Sequence, residues 1–548
     1  MTSEEARTEP DAPGKRLLRP TRRAFVGGLA ALLALRPGQS QAFVANSARF
    51  DLDPGGRRDS AAGIAQAIEE GARTGRAVVF PAGVYSYDSR HIALTGLGDV
   101  SVSCEPGVVF RDRGHMVTAT DGEPFQVPWG LAFRDCPGSI DWTGGIFESL
   151  GSTLRGSSVG SFDATTVHFR KPVLGFERCT GKVRLRRIGH RGNPGRGIMG
   201  TDRQAVRRAL GADPTPNRYA ALGGYGAFFF AYDCPDIRRE DCYLVPDTCA
   251  REQVIFVGCS GGWRNERSWS EGRNMASLGK VIGCRDFDLG GFEVRDTTRA
   301  SIVDIIGENI SFTDSNLECP NSKACDVSHE WGHANQPIAG IRIERIRSTG
   351  RGVINATVKS TEAQVAAAPI TGVLIRDCRF NIGRTDFSDD VSMQLRGIID
   401  VTIEDMAFEN ESPCGYGHQG EGGRSIRVRD CTMRWTQAAD AVDNNNRQFI
   451  ASGLNEYEDC AIVANASKAA EGGGLARLPF SGSDVGGRHV LRGGTITDTR
   501  LLIAGGARVE LHGTELSRCS WDVEDGSISF AGCTLDGQPL PDAFVGPG

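Results

Sequence analysis

Between Thr371 and Gly397 the chain reads TGVLIRDCRFNIGRTDFSDDVSMQLRG. Apolar and polar positions alternate from Val373 to Phe380, the chain turns through Asn381 and Gly383, and a second run follows from Val391 to Leu395. Short strands joined by a polar corner cannot bury their apolar faces alone, so the unit predicts stacking on copies of itself. The same Cys-centred strand recurs as Phe133-Arg134-Asp135-Cys136, Phe176-Glu177-Arg178-Cys179, Tyr232-Asp233-Cys234, Val428-Arg429-Asp430-Cys431 and Tyr457-Glu458-Asp459-Cys460, with Ile346 or Met406 in the Cys place elsewhere. Ile346, Cys378, Met406, Cys431 and Cys460 are spaced 32, 28, 25 and 29 residues apart. A drifting period of this size fits coils whose strands keep their length while the corner loops vary, which is a parallel β-helix. The leucine and asparagine pattern of a leucine-rich repeat is missing, and no per-blade motif of a propeller stands out.

Ahead of the repeat, Asp59 or Ser60 can cap a helix whose apolar positions Ala61, Ile64, Ala65, Ile68 and Ala72 share one face, with Gly75 at its end. A strand and turn, Ala77-Val78-Val79-Phe80-Pro81-Ala82-Gly83-Val84-Tyr85, comes next. This order of elements, FDLDPGGRRDSAAGIAQAIEEGARTGRAVVFPAGVYSY, resembles the amino-terminal segment of the pectate-lyase-like superfamily over about 40 residues. The resemblance implies an all-β fold, one right-handed parallel β-helix with an amino-terminal capping helix, and a carbohydrate-active function. The organisation expected is a leader over 1–42, a cap and first coil over 43–99, and the helix proper over 100–548. Two interruptions, roughly Gly189 to Gly224 and Gly261 to Arg273, are rich in Gly and Arg and are expected as surface loops beside a groove.

The leader reading rests on Thr21-Arg22-Arg23-Ala24-Phe25-Val26, a twin-arginine signature. The apolar run from Ala24 to Leu35 that follows is too short to span a bilayer, and Ser40-Gln41-Ala42 offers a small-residue cleavage site. A periplasmic or secreted location follows, reached by a domain already folded in a reducing cytoplasm. This bears on the 16 cysteines, all beyond the leader. Because so many occupy one place in the repeat, they are expected as reduced, buried thiols. Without the leader, 55 basic residues face 64 acidic ones, a net charge of about −9. Such a surface excludes general attraction to nucleic acid or anionic lipid.

In a stacked solenoid, equivalent corners of successive coils form a column on one face. The candidate column runs through Arg351, Asp389-Asp390, Tyr416-Gly417-His418 and Asp443 to Arg447. A carboxyl that protonates the leaving oxygen and a second that activates water are what glycosidic cleavage needs. Crowding Asp389 against Asp390 raises one of their pKa values and yields the proton donor. The candidate catalytic residues are therefore Asp389, Asp390 and His418, with Arg351, Lys359, Asp443, Arg447 and Trp331 as substrate contacts. The adjacent Asp pair followed a coil later by Gly417-His418-Gln419 is similar to polygalacturonases, without the Asn-Thr-Asp and Arg-Ile-Lys stretches of that family. A literal HExxH, His329-Glu330-Trp331-Gly332-His333, carries Gly332 inside it and lacks an amphipathic helical run. It reads as a groove-rim loop whose Trp331 stacks on a sugar.

The expected function is thus that of an exported polysaccharide-degrading enzyme, a glycoside hydrolase without cofactor or metal, acting on a polysaccharide or oligosaccharide. One alternative is a polysaccharide lyase working by β-elimination on a uronate-containing glycan, with Arg351, Lys359 or Arg447 taking the proton and Ca²⁺ in an acidic cluster. The other is a glycan-binding solenoid without catalysis. No nucleic-acid partner and, once the leader is cleaved, no membrane partner are expected; the sequence carries no sign of oligomeric state.

Overall fold

The computed structural model describes residues 42–88, 92, 94–113, 116–119, 130–149, 152–156, 166–169, 173–192, 228–244, 250–269, 275–295, 301–328, 337–357, 370–382, 393–396, 400–410, 418–420, 425–435, 449–451, 453–463, 476–482 and 487–546. Nearly all of it is strand, joined in parallel register from coil to coil. A separate three-stranded sheet is formed by Met116–Ala119, Ser152–Gly156 and Thr166–Phe169. Each coil holds three short strands, as in Leu174–Glu177, Val183–Arg186 and Gly189–Gly192, followed by Phe229–Tyr232, Ile237–Glu240 and Tyr243–Leu244 in the next. First strands pair with first strands, second with second and third with third. The result is the right-handed parallel β-helix that the resemblance implied.

The repeat read from the sequence is the true register. Ile343 pairs with Ile375, Ile375 with Ile403, Ile403 with Val428 and Val428 with Tyr457, which reproduces the spacings of 32, 28, 25 and 29. The Asp-Cys dipeptide that marks this repeat has a backbone cause. Asp377, Asp405, Asp430 and Asp459 all have φ of 50–52°, the left-handed conformation that Asp tolerates better than most residues. That turn points the next side chain, Cys378, Met406, Cys431 or Cys460, into the core.

One correction concerns these cysteines. The second and third strands of a coil are joined by the same turn as the first and second, so two corners share one sequence signature. Cys136, Cys179, Cys234, Cys259 and Cys284 follow first strands and stack on five consecutive coils, whereas Cys378, Cys431 and Cys460 follow second strands. In the first ladder neighbouring thiols touch one another and donate to main-chain carbonyls, as Cys234 does to Tyr232 O at 3.4 Å. All thirteen described cysteines are free and eleven are buried. Burial pushes the Cys259 thiol well above its ordinary pKa, which removes the reactive thiolate. Iodoacetamide is accordingly expected to leave these eleven unmodified in the native protein and to reach them after denaturation, as intact mass would show. Several adducts on the native protein would contradict the packing.

The expected helix is present as Ala61–Thr74, with Asp59 accepting from the Ala61 amide and Gly75 closing the end at φ 65°. Ile64, Ala67 and Ile68 are fully buried and extend the apolar interior at the end of the solenoid. Inside, aromatic side chains form columns: Phe133 lies flat on Phe176 with centroids 5.2 Å apart, and Phe110 on Phe147 at 5.2 Å. Each such ring contributes about 1.5–3 kcal/mol by leaving water. The expected interruption at 261–273 begins instead with two coil strands, Gly261–Arg264 and Arg267–Trp269. Likewise Gly189–Gly192 is a third strand. The Gly and Arg content misled because glycines fit tight inter-coil contacts while arginines face outward. Trp263, in the same stretch, is fully buried in the core.

Around Trp263 the interior becomes ionic. Arg239 replaces an apolar residue in the second-strand column Leu185, Arg239, Trp263, Leu289. Its guanidinium makes two bonds to Glu266, Nε to Oε2 at 3.1 Å and Nη2 to Oε1 at 2.9 Å, with both side chains at 0% exposure. The Trp263 indole donates to Glu266 Oε2 at 3.1 Å, and the guanidinium lies 5.0 Å from the Phe229 ring centroid. His190, also fully buried, is kept neutral, chiefly by burial and then by Arg239.

Candidate functional site

The outer face of the first strands carries a covered polar column. It starts apolar, with Phe230 in register with Ile255, and turns charged at Lys280, which pairs with Asp304. Phe230 and Ile255 are buried on this face apart from the main core. Lys280 Nζ lies 2.8 Å from Asp304 Oδ2, with the two side chains 1% and 10% exposed. On the next coil Asp326 is also buried, and burial together with the Asp326 and Asp304 carboxylates raises the pKa of the neighbouring Cys325 thiol. The register then continues through Asn355, Gln394 and Gln419. Sequence reasoning missed Lys280, Asp304 and Asp326, whose only signal is a charged residue where strand alternation demands a covered position.

Most of the residues singled out in the sequence lie outside the described residues: Asp389, Asp390, Lys359, Asp443, Arg447 and Trp331. For Arg351 and His418 the backbone alone is described. Arg351 belongs to the strand Arg342–Thr357 and His418 opens His418–Gly420. His418 pairs with Met393 on one side and Phe449 on the other, and Met393 pairs with Ile354. By residue count Arg351 and Asp390 stand equally far ahead of this column, three residues before Ile354 and Met393, while His418 is in the column itself. The strand that follows Asp389-Asp390 and the strand that begins at His418 are therefore direct neighbours, about 4.8 Å apart. Their ladder is the one that carries Lys280 and Asp304.

No known family and no curated protein matches this sequence. Solved structures do. An exopolygalacturonase from Thermotoga maritima is similar at 10% identity and a TM-score of 0.33, covering 93% of this chain and 94% of its own. The surface adhesin PfbA of Streptococcus pneumoniae is similar at 11% and 0.35, covering 89% and 92%. The A-module of the Azotobacter vinelandii mannuronan C-5 epimerase AlgE4 is similar at 10% and 0.22, covering 90% and 97%. A hydrolase, an adhesin and an epimerase cannot between them choose an activity, so that choice rests on the site.

No group of three or more His, Cys, Asp or Glu among the described residues is arranged to hold a metal ion. A covered ion pair such as Lys280 with Asp304 holds this face polar; acid–base work needs a carboxyl that can meet a glycosidic oxygen.

Proposed function

We propose that this chain is a polysaccharide-degrading enzyme, a glycoside hydrolase whose substrate lies along the outer face of the first strands. Asp389 and Asp390 act as general acid and base and His418 adjusts their protonation, with Arg351, Lys359, Asp443, Arg447 and Trp331 as substrate contacts. The observation that supports this reading is the register of Met393 with His418. It makes neighbours of the strand led in by the Asp pair and the strand opened by the imidazole, on a ladder whose outer face is already polar. Three coils away along the same ladder, the covered Lys280–Asp304 pair shows that this face holds charged groups in fixed places.

The test is product chemistry. The mature chain is incubated with a panel of neutral and uronic polysaccharides, with reducing ends and ultraviolet absorbance followed together. Hydrolysis gives new reducing ends alone. Reducing ends that rise in step with absorbance would make the enzyme a lyase, since β-elimination leaves a conjugated double bond. Binding without either product would make it a lectin-like solenoid.

A further inference from the structure

A second face of the coil carries its own cavity. It has a volume of about 550 Å³ and is lined by Arg187, Asp241, Tyr243 and Arg267, all on the turn between second and third strands or on the third strand itself. That volume lies in the range of small-molecule sites. Tyr243 sits in register between Gly189 and Arg267. A Cβ on Gly189 would come within 2.8 Å of the Tyr243 ring, so the ring lies against the bare backbone of the preceding coil.

Arg187 is anomalous within this chain. Four described arginines have a left-handed backbone: Arg178, Arg187, Arg345 and Arg518, at φ of 50, 55, 54 and 48°. That conformation is unfavourable for a residue with a long side chain. In three cases the coil before supplies a left-handed Asp directly beneath, and the guanidinium binds it. Arg178 holds Asp135 at 2.7 and 3.1 Å, Arg345 holds Asp314 at 2.5 and 3.0 Å, and Arg518 holds Asp498 at 2.5 and 2.9 Å. Beneath Arg187 the corresponding residue is Gly144. Arg187 makes no ion pair with a described residue, although Asp241 stands at the equivalent turn of the next coil. Arg267 makes none either, although Glu293 is its register neighbour. Among the described residues no ion pair thus offsets the backbone cost at Arg187, and the residue lines the cavity.

We propose that this cavity binds an acidic sugar unit, a pyranose carrying a carboxylate or a sulfate. Arg187 and Arg267 hold the anionic group, Tyr243 packs against the ring, and Asp241 accepts from a hydroxyl. The site is separate from the outer face of the first strands and stands whether or not the chain hydrolyses anything.

Binding is measured by calorimetry on the full mature chain with three probes: a galacturonate tetrasaccharide, a κ-carrageenan tetrasaccharide that carries sulfate and no carboxylate, and a neutral cello-tetraose. At least one acidic probe is expected to bind with an affinity that falls as salt rises, and which one binds identifies carboxylate or sulfate. Arg187→Gly and Arg267→Ala are each expected to weaken that binding about tenfold or more. Because glycine relieves the left-handed strain, Arg187→Gly should unfold at a temperature no lower than the parent, which a structural role for Arg187 would not allow. Unchanged affinity in the double variant, failure of both acidic probes to bind, or a lowered unfolding temperature in Arg187→Gly would each overturn the proposal. Unchanged affinity for the acidic probe in a double variant that still hydrolyses a polysaccharide would leave the proposed activity standing while this site falls.

Discussion

Glu266→Ala is expected to destabilise the protein by about 3–5 kcal/mol, the usual cost of stripping one partner from a fully buried ion pair. The Arg239 guanidinium cannot lose its proton to escape, and it has no route to solvent at 0% exposure. The same substitution removes the acceptor of the Trp263 indole and leaves a cavity in the aromatic stack. Arg239→Met combined with Glu266→Leu should recover most of the loss, because well-packed apolar residues of similar size often equal or exceed a buried pair. The midpoint of urea unfolding, compared among the parent, Glu266→Ala and the double variant, checks both statements. A loss below about 1 kcal/mol in Glu266→Ala would mean that the charge reaches water.

Asp390→Asn is expected to lower the rate of polysaccharide cleavage by about 10²–10⁴-fold, the range attributed to a positioned proton-transfer group. An amide keeps the size of the carboxyl but neither donates the acid proton nor accepts one from water. It also ends the mutual repulsion of Asp389 and Asp390, so the remaining carboxyl should ionise at a lower pH and the acidic limb of any residual pH–rate profile should move down. Asp304→Asn provides the contrast. It removes the carboxylate 2.8 Å from the buried Lys280 ammonium, so its main effect should be a lower unfolding midpoint. A loss of turnover in Asp304→Asn with unchanged stability would move the chemistry to the Lys280, Asp304 and Asp326 column.

Much of the fold was legible because parallel stacking repeats its constraints. Every coil needs an inward apolar position on each strand and a residue tolerant of left-handed backbone at each corner, so Asp377-Cys378 and its counterparts announce the register themselves. What the spacing conceals is which corner a given Asp-Cys belongs to, since both corners make the same demand; Cys179 and Cys378 look alike and occupy different ladders. Composition misjudged residues 261–269 because Gly and Arg signal loops in most folds, whereas here a strand can carry Gly261 where coils touch and Arg264 where water is. The interior charges were illegible for a related reason: in Ile237-Arg238-Arg239-Glu240 alternation alone gives no sign that Arg239 has a carboxylate waiting one coil above. The proposed site was read as a chemical pattern of carboxylates, imidazole and guanidinium, and most of its residues lie outside the described ones. Its placement depended on strand register, which the sequence spacing of 28 between Asp390 and His418 approximated and the ladder set at 25 between Met393 and His418.

The measurement closest to the central claim is a double-mutant cycle on cleavage rate with Asp390→Asn, His418→Ala and the two combined. If coil winding brings these groups together into one catalytic unit, the double variant should be no slower than Asp390→Asn by more than a fewfold, because the second change removes a partner already disabled. Losses that simply multiply would show the two residues acting independently, on parts of the coil that never meet the same sugar.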